Sequence, residues 1–146
     1  MAYLFDSNTF LRLAEKNSPQ RQIVLNAIRH LRDAGEPIYY TPQVLAEFWN
    51  VCTRPASSRG GLGLSVEQTE RKAGLIGKYF TILHDSPGTF TAWRRLVSDL
   101  RITGVQVHDA KLVASMIAHS IPHLVTFNVK DFLRYPTVNA IDPADI

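Results

Sequence analysis

The chain has 146 residues, 45% hydrophobic and 20% charged, enough for one domain with its own core and ordinary for a globular fold. No stretch approaches the roughly 18 uninterrupted apolar residues of a membrane span, and the short apolar run before Asp6 follows no basic segment, so no signal peptide is expected. Cys52 is the sole cysteine, which excludes an internal disulfide and a cysteine-based zinc site and points to a reducing, cytoplasmic setting.

Sixteen Lys and Arg against thirteen Asp and Glu leave a net charge of +3, and eleven of those cations are Arg, the side chain best matched to phosphate. A mild positive charge by itself is weak evidence for nucleic acid.

In chain order, Tyr3-Leu4-Phe5 is a short apolar run that ends in Asp6-Ser7-Asn8, and Phe10, Leu11, Leu13 and Ala14 follow at helical spacing. That pattern predicts a buried strand feeding a helix, with Asp6 at the strand's carboxyl end, where ligands gather in open α/β sheets. Asp6 also suits the helix N-cap. A second helix is predicted from Gln20 to Ala34, with Gly35 as its C-cap glycine. Pro37–Tyr40 reads as a strand, and Thr41-Pro42 as the N-cap and first residue of a helix carrying Val44, Leu45, Phe48, Trp49 and Cys52 on one face. Glu47 falls off the centre of that stripe, and periodicity alone reads it as a solvated glutamate.

Residues 54–63 (RPASSRGGLG) form an exposed, mobile loop by composition. Their glycines match neither a dinucleotide fingerprint nor a Walker motif. Ser65 caps a helix over 66–79, Phe80–Leu83 reads as a strand, and Asp85-Ser86-Pro87 opens a helix to about Arg101. His108-Asp109 opens another, with Ala110, Val113, Ala114 and Ile117 on its inner face. A strand over 123–127 ends in the turn Asn128–Phe132, and Val138–Ile141 forms a last strand. Helices and strands alternate through short loops, which predicts an α/β fold, a parallel sheet covered on both faces.

Asp6, Glu47, Asp109, Asn128 and Asp131 all belong to strand ends or to the helices that follow, and such positions converge on one edge of a doubly wound sheet. Carboxylates gathered without a local cation repel one another, and a divalent ion removes that cost; oxygen-only ligands suit Mg²⁺ or Mn²⁺.

The segments LFDSNTF, TPQVLAEFWNV, VHDAKLVASM and LVTFNVKDF, in that order over nearly the whole chain, resemble PIN-domain ribonucleases, most closely the VapC-like toxins of bacterial toxin–antitoxin pairs. The resemblance implies a single three-layer α/β/α domain over residues 1–146 with a mostly parallel sheet of four to five strands. It implies a Mg²⁺- or Mn²⁺-dependent endoribonuclease in which Asp6, Glu47 and Asp109 hold the metal, leaving a 5′-phosphate and a 3′-hydroxyl. The family's fourth position falls in the turn after the fourth strand. There the family often has Asp and this chain has Asn128; Asp131 either supplies the carboxylate or caps the turn. Ser7, Asn8 and Thr126 are expected to orient ligands or substrate. Arg12, Arg54, Lys111 and Lys130 are candidate contacts to the RNA backbone, and His108 reads as structural rather than as a general base. A cognate antitoxin and a homodimer are the implied partners.

Rival readings are weaker on these residues. A phosphorylated receiver domain needs paired acids after the first strand, where Ser7 and Asn8 stand, and a haloacid-dehalogenase-type phosphatase needs a second Asp at position 8. A PIN fold that binds RNA or protein without cutting, and a DNA-directed structure-specific nuclease, share the acid cluster and stay open.

Overall fold

The computed structural model describes residues 1–146. Its elements run β1 (Tyr3–Phe5), α1 (Ser7–Ala14), α2 (Arg21–Asp33), β2 (Ile38–Tyr40), α3 (Pro42–Thr53), α4 (Val66–Tyr79), β3 (Thr81–Ile82), α5 (Pro87–Asp99), α6 (Gln106–Ala118), β4 (His123–Val125) and β5 (Asn139–Ile141), with 3₁₀ turns at Val129–Phe132 and Pro143–Asp145.

Local chemistry explains most boundaries. Thr41 Oγ1 accepts the Val44 N–H at 3.2 Å while Pro42 occupies the first helical position, so α3 starts where its sequence signals lie. Ser65 and Gln68 exchange backbone-to-side-chain hydrogen bonds of 2.9 and 3.0 Å, a reciprocal cap for α4. Gly35 ends α2 at φ 73°, a left-handed conformation that a side chain resists.

The sheet has five strands in the order β3-β2-β1-β4-β5, every neighbouring pair parallel. Tyr3 pairs with Ile38 on one side and His123 on the other. Leu4, Phe5, Leu124 and Val125 are fully buried, as expected of parallel strands covered on both faces by helices. The result is a three-layer α/β/α fold.

From β1 the chain first builds outward through β2 and β3, then returns to the other side of β1 for β4 and β5. The direction of winding therefore reverses between β1 and β4, and the crevice at such a reversal is where open α/β sheets bind ligands. Asp6 immediately follows β1 and Thr126 immediately follows β4.

Several expectations need correction. Helix α6 begins at Gln106, two residues before the predicted start, and Ile117 is 40% exposed rather than inward. Strand β4 stops at Val125, because Thr126 and Phe127 already turn toward the site. Strand β3 spans only Thr81–Ile82. The 54–63 segment is largely exposed, yet it folds back onto α3 instead of running free: Leu62, Gly63 and Leu64 donate to the carbonyls of Val51, Arg54 and Cys52 at 2.8–3.0 Å. Gly61 makes that return possible, since a Cβ there would sit 2.3 Å from the Pro55 carbonyl oxygen.

Candidate active site

Asp6 is the N-cap of α1 and only 7% exposed. Its Oδ1 accepts the Ser7 N–H at 2.7 Å, and its Oδ2 accepts the Thr126 hydroxyl at 2.8 Å and the Asn8 amide at 3.3 Å. The capping and site readings of Asp6 are thus the same geometry, because the cap aims the carboxylate over the strand end. Thr126 is fully buried. Its oxygen also accepts the Asn8 side-chain amide at 3.0 Å and the Asn128 N–H at 3.1 Å, and the Phe127 N–H donates to Asn8 Oδ1 at 3.2 Å. Asn8 and Thr126 therefore lace the ends of β1 and β4 together.

Glu47 reaches the same crevice from α3. It is half-buried. Ser7 Oγ donates to its Oε2 at 3.0 Å, and the Gln43 amide donates to its Oε1 at 2.9 Å. This is not the solvated glutamate that periodicity suggests. A short helix leaning across a sheet edge can bury a residue off its apolar stripe when polar partners are waiting there. Gln43 also donates to the backbone carbonyl of His108 at 2.8 Å, tying α3 to α6 across 65 residues, while its own Oε1 is buried without a partner. Sequence reasoning missed Gln43. The available signal was its place four residues before Glu47, one helical turn away.

Asp109 lies in the first turn of α6. Burial, then the charges of Asp6, Asp131 and Glu47, push its carboxyl up to about 6, with His108 acting in the opposite sense. Asp6 is raised too, first by its burial, while the hydrogen bonds from Thr126 and Ser7 pull the other way and Glu47 adds to the rise. Four acids from four parts of the chain thus feel one another. None of the three ion pairs of the molecule (Met1–Glu36, Arg12–Glu15 and Lys111–Asp85) involves them.

The fit to a divalent metal is one of chemistry more than of finished geometry. The donors are hard oxygens carrying unneutralised like charge, which suits Mg²⁺ or Mn²⁺. No three of the His, Cys, Asp and Glu side chains converge tightly enough to make a ready-made cage. The reason is visible in the hydrogen bonds: Asp6 is turned to Ser7 and Thr126, and Glu47 to Ser7 and Gln43.

Asn128 and Asp131 are both exposed in the 3₁₀ turn after β4. Asp131 acts on Asp109 through its charge, whereas Asn128 is engaged through its backbone. Of the candidate backbone-binding cations, Arg12 is held by Gln20 and Glu15, Lys111 by Asp85, and Arg54 by the Arg59 carbonyl. Lys130 is exposed in the same turn as Asp131. The His108 side chain is exposed, and its contribution to the site is the carbonyl that receives Gln43.

A family model described as "PIN domain" matches residues 3–137. No curated protein sequence matches the chain closely. Among solved structures, VapBC2 from Rickettsia felis, bound to a DNA fragment from its promoter, is similar with a TM-score of 0.74 at 22% identity, over 97% of this chain and 98% of that one. A toxin–antitoxin complex from Klebsiella pneumoniae is similar with a TM-score of 0.67 at 20% identity, over 99% of both chains. VapC20 of Mycobacterium tuberculosis, described as a sarcin–ricin loop cleaving toxin, is similar with a TM-score of 0.58 at 17% identity, over 84% of this chain and 86% of that one.

Proposed function

Since the chain belongs to the PIN-domain family, we propose that it is a Mg²⁺- or Mn²⁺-dependent endoribonuclease, the toxin of a toxin–antitoxin module working in the cytoplasm. The observation that carries this reading is the unpaired acid cluster at the β1/β4 reversal, in which burial, and then the charges of Asp6, Asp131 and Glu47, raise Asp109 to about 6. A structural network of carboxylates is normally neutralised by Lys or Arg; an electrostatic cost left standing in a crevice marks a functional site.

Asp6, Glu47 and Asp109 are the residues to hold the ion, with Asp131 as the fourth carboxylate and Asn128 presenting a neutral oxygen beside it. A divalent ion bound there supplies Lewis-acid stabilisation of the phosphoryl oxygens and activates water for in-line attack on the phosphodiester. The chain's own residues do the positioning. Thr126 and the Ser7 N–H fix the two oxygens of Asp6, while Ser7 Oγ and Gln43 hold Glu47 across from α6. Asn8, bonded to Asp6, Thr126 and Phe127, keeps the two strand ends at constant separation.

The solved relatives described as a toxin–antitoxin complex and as a loop-cleaving toxin support an RNA substrate and an antitoxin partner, with a homodimer as the expected assembly. The test is cleavage of RNA by the purified chain in Mg²⁺, Mn²⁺ and EDTA, with Asp6→Asn alongside. Metal-dependent cutting lost in Asp6→Asn is the expected result. Cutting that survives EDTA, or an Asp6→Asn variant as fast as the parent, overturns the reading.

A further inference from the structure

Beside Asp109, away from Glu47, lies a cavity of about 330 Å³ lined by Val105, Gln106, Asp109, Asp131, Arg134 and Tyr135. It is continuous with the acid cluster, since Asp109 belongs to both, and three of its features are not needed to hold a metal. Arg134 is exposed, and its Nη1 donates at 2.7 Å to Gln106 Oε1, a neutral partner, so its charge is positioned without being cancelled. Arg12 and Lys111, by contrast, are already paired with carboxylates. Tyr135 is 2% exposed, and its hydroxyl has no hydrogen-bond partner. Buried hydroxyls are nearly always satisfied, so an orphan at a polar cavity marks a place that a ligand or water completes. Burial raises the pKa of that hydroxyl, with the charge of Asp109 adding to the rise and that of Arg134 opposing it. Val105, on the rim, is 83% exposed and offers an apolar surface beside the polar wall.

We propose that this cavity is a nucleotide subsite for the RNA strand next to the cleaved bond. Arg134 takes a phosphodiester, the Tyr135 hydroxyl completes its hydrogen bonding on the same nucleotide, and Val105 receives the base face. The inference rests on the ribonuclease reading above and adds to it where the strand lies. A phosphodiester in a strand carries one negative charge, so it meets less repulsion from Asp109 and Asp131 than free phosphate does, while the guanidinium still gains a charge-assisted contact. A base face laid against the Val105 side chain removes apolar surface from water.

Binding is measured apart from cutting by titrating the full chain with dinucleoside monophosphates (ApA, GpG, CpC and UpU) in EDTA, following the Arg134 Nε–H and Gln106 side-chain amide signals by NMR. Saturable shifts at both groups are expected. Arg134→Ala should weaken binding by an order of magnitude or more, and Arg94→Ala, on the exposed face of α5, should leave it unchanged. Tyr135→Phe should weaken binding several-fold yet leave the thermal midpoint unchanged or higher, because the deleted hydroxyl has no partner within the fold. Inorganic phosphate binding as tightly as the dinucleotides reduces the cavity to a plain anion site and overturns the proposal. So does Arg134→Ala with parental affinity, or Tyr135→Phe that loses stability and not affinity. A protein that binds the dinucleotides as expected but cuts no RNA in Mg²⁺ sinks the ribonuclease reading and supports the subsite. One that cuts RNA with an unchanged KM in Arg134→Ala sinks the subsite alone.

Discussion

The Thr126 hydroxyl donates to Asp6 Oδ2 at 2.8 Å, joining residues 120 positions apart in sequence. Together with the Asn8 bonds and the Asp6 N–H to Val125 carbonyl bond of 3.0 Å, it joins the carboxyl ends of β1 and β4, the only place in the sheet where the winding direction reverses. It also partly offsets the burial that raises the Asp6 carboxyl. The strand ends are thereby spaced for the acids that follow them.

Thr126→Val keeps the shape of that side chain and removes its oxygen. Asp6 loses a donor, and the Asn8 amide and Asn128 N–H lose an acceptor. A loss of about 1–3 kcal/mol is expected from burying these groups unsatisfied. Urea unfolding of the variant against the parent measures it; a midpoint within error of the parent would show that the lacing is dispensable.

Stability should fall with rising pH where the acids ionise. The Asp109 carboxyl stands at about 6 against an ordinary 3.8. A carboxyl raised in the folded state binds its proton more tightly there than in the unfolded chain. Its contribution to stability is therefore complete below about pH 4 and lost as the pH climbs through about 6. Asp6, also raised, acts in the same sense. In metal-free buffer Asp109→Asn should flatten this slope and exceed the parent at pH 7 by about 1–2 kcal/mol after solvent screening. Unfolding midpoints at pH 4, 5, 6 and 7 decide it, and parallel curves for the two proteins would refute the coupling.

Magnesium should reverse that order. A ligand at about a hundred times its dissociation constant adds about 2.7 kcal/mol to the folded state. The parent should gain thermal stability on adding Mg²⁺, whereas Asp6→Asn and Asp109→Asn should gain little. Equal gains in all three proteins would place the ion elsewhere.

Ser7→Ala and Gln43→Ala each remove one of the two donors that hold Glu47. Outer partners of metal-holding carboxylates typically matter by about 10–100-fold, so each should reduce cleavage by that order, and Glu47→Gln by more. Rates for the three variants at saturating Mg²⁺ provide the check. An unchanged Glu47→Gln rate would restore the surface role suggested by periodicity.

Asn128→Ala and Asp131→Ala separate the two candidates for the fourth position. Asp131 acts on Asp109 through charge, and Asn128 is held only through its backbone. Asp131→Ala should therefore lower the Asp109 titration point and weaken Mg²⁺ binding, while Asn128→Ala should change both less. Carboxyl titration by NMR together with Mg²⁺ calorimetry reads this directly, and the opposite ranking would hand the role to Asn128.

Some of this protein is determined along the chain by short-range chemistry. Thr41-Pro42, Ser65 with Gln68, and Gly35 mark helix ends because the caps are satisfied within four residues. The apolar residues Leu4 and Phe5, and Leu124 and Val125, declare themselves as parts of parallel strands by being apolar on both faces. Asp6 stands out for the same reason, as a carboxylate at an abrupt strand end. Only the tertiary structure decides the rest. Glu47 looks solvated on its own helix and becomes a site residue because Ser7 and Gln43 meet it at the sheet edge. Arg134 and Tyr135 carry no local signal, and Gln43 only its place one turn before Glu47, since their significance lies in partners, or in the lack of one, contributed by segments far away in sequence. Caps and periodicity are local energies that a few residues can express. A shared electrostatic field and an unfilled hydrogen bond exist only once the chain has closed around them.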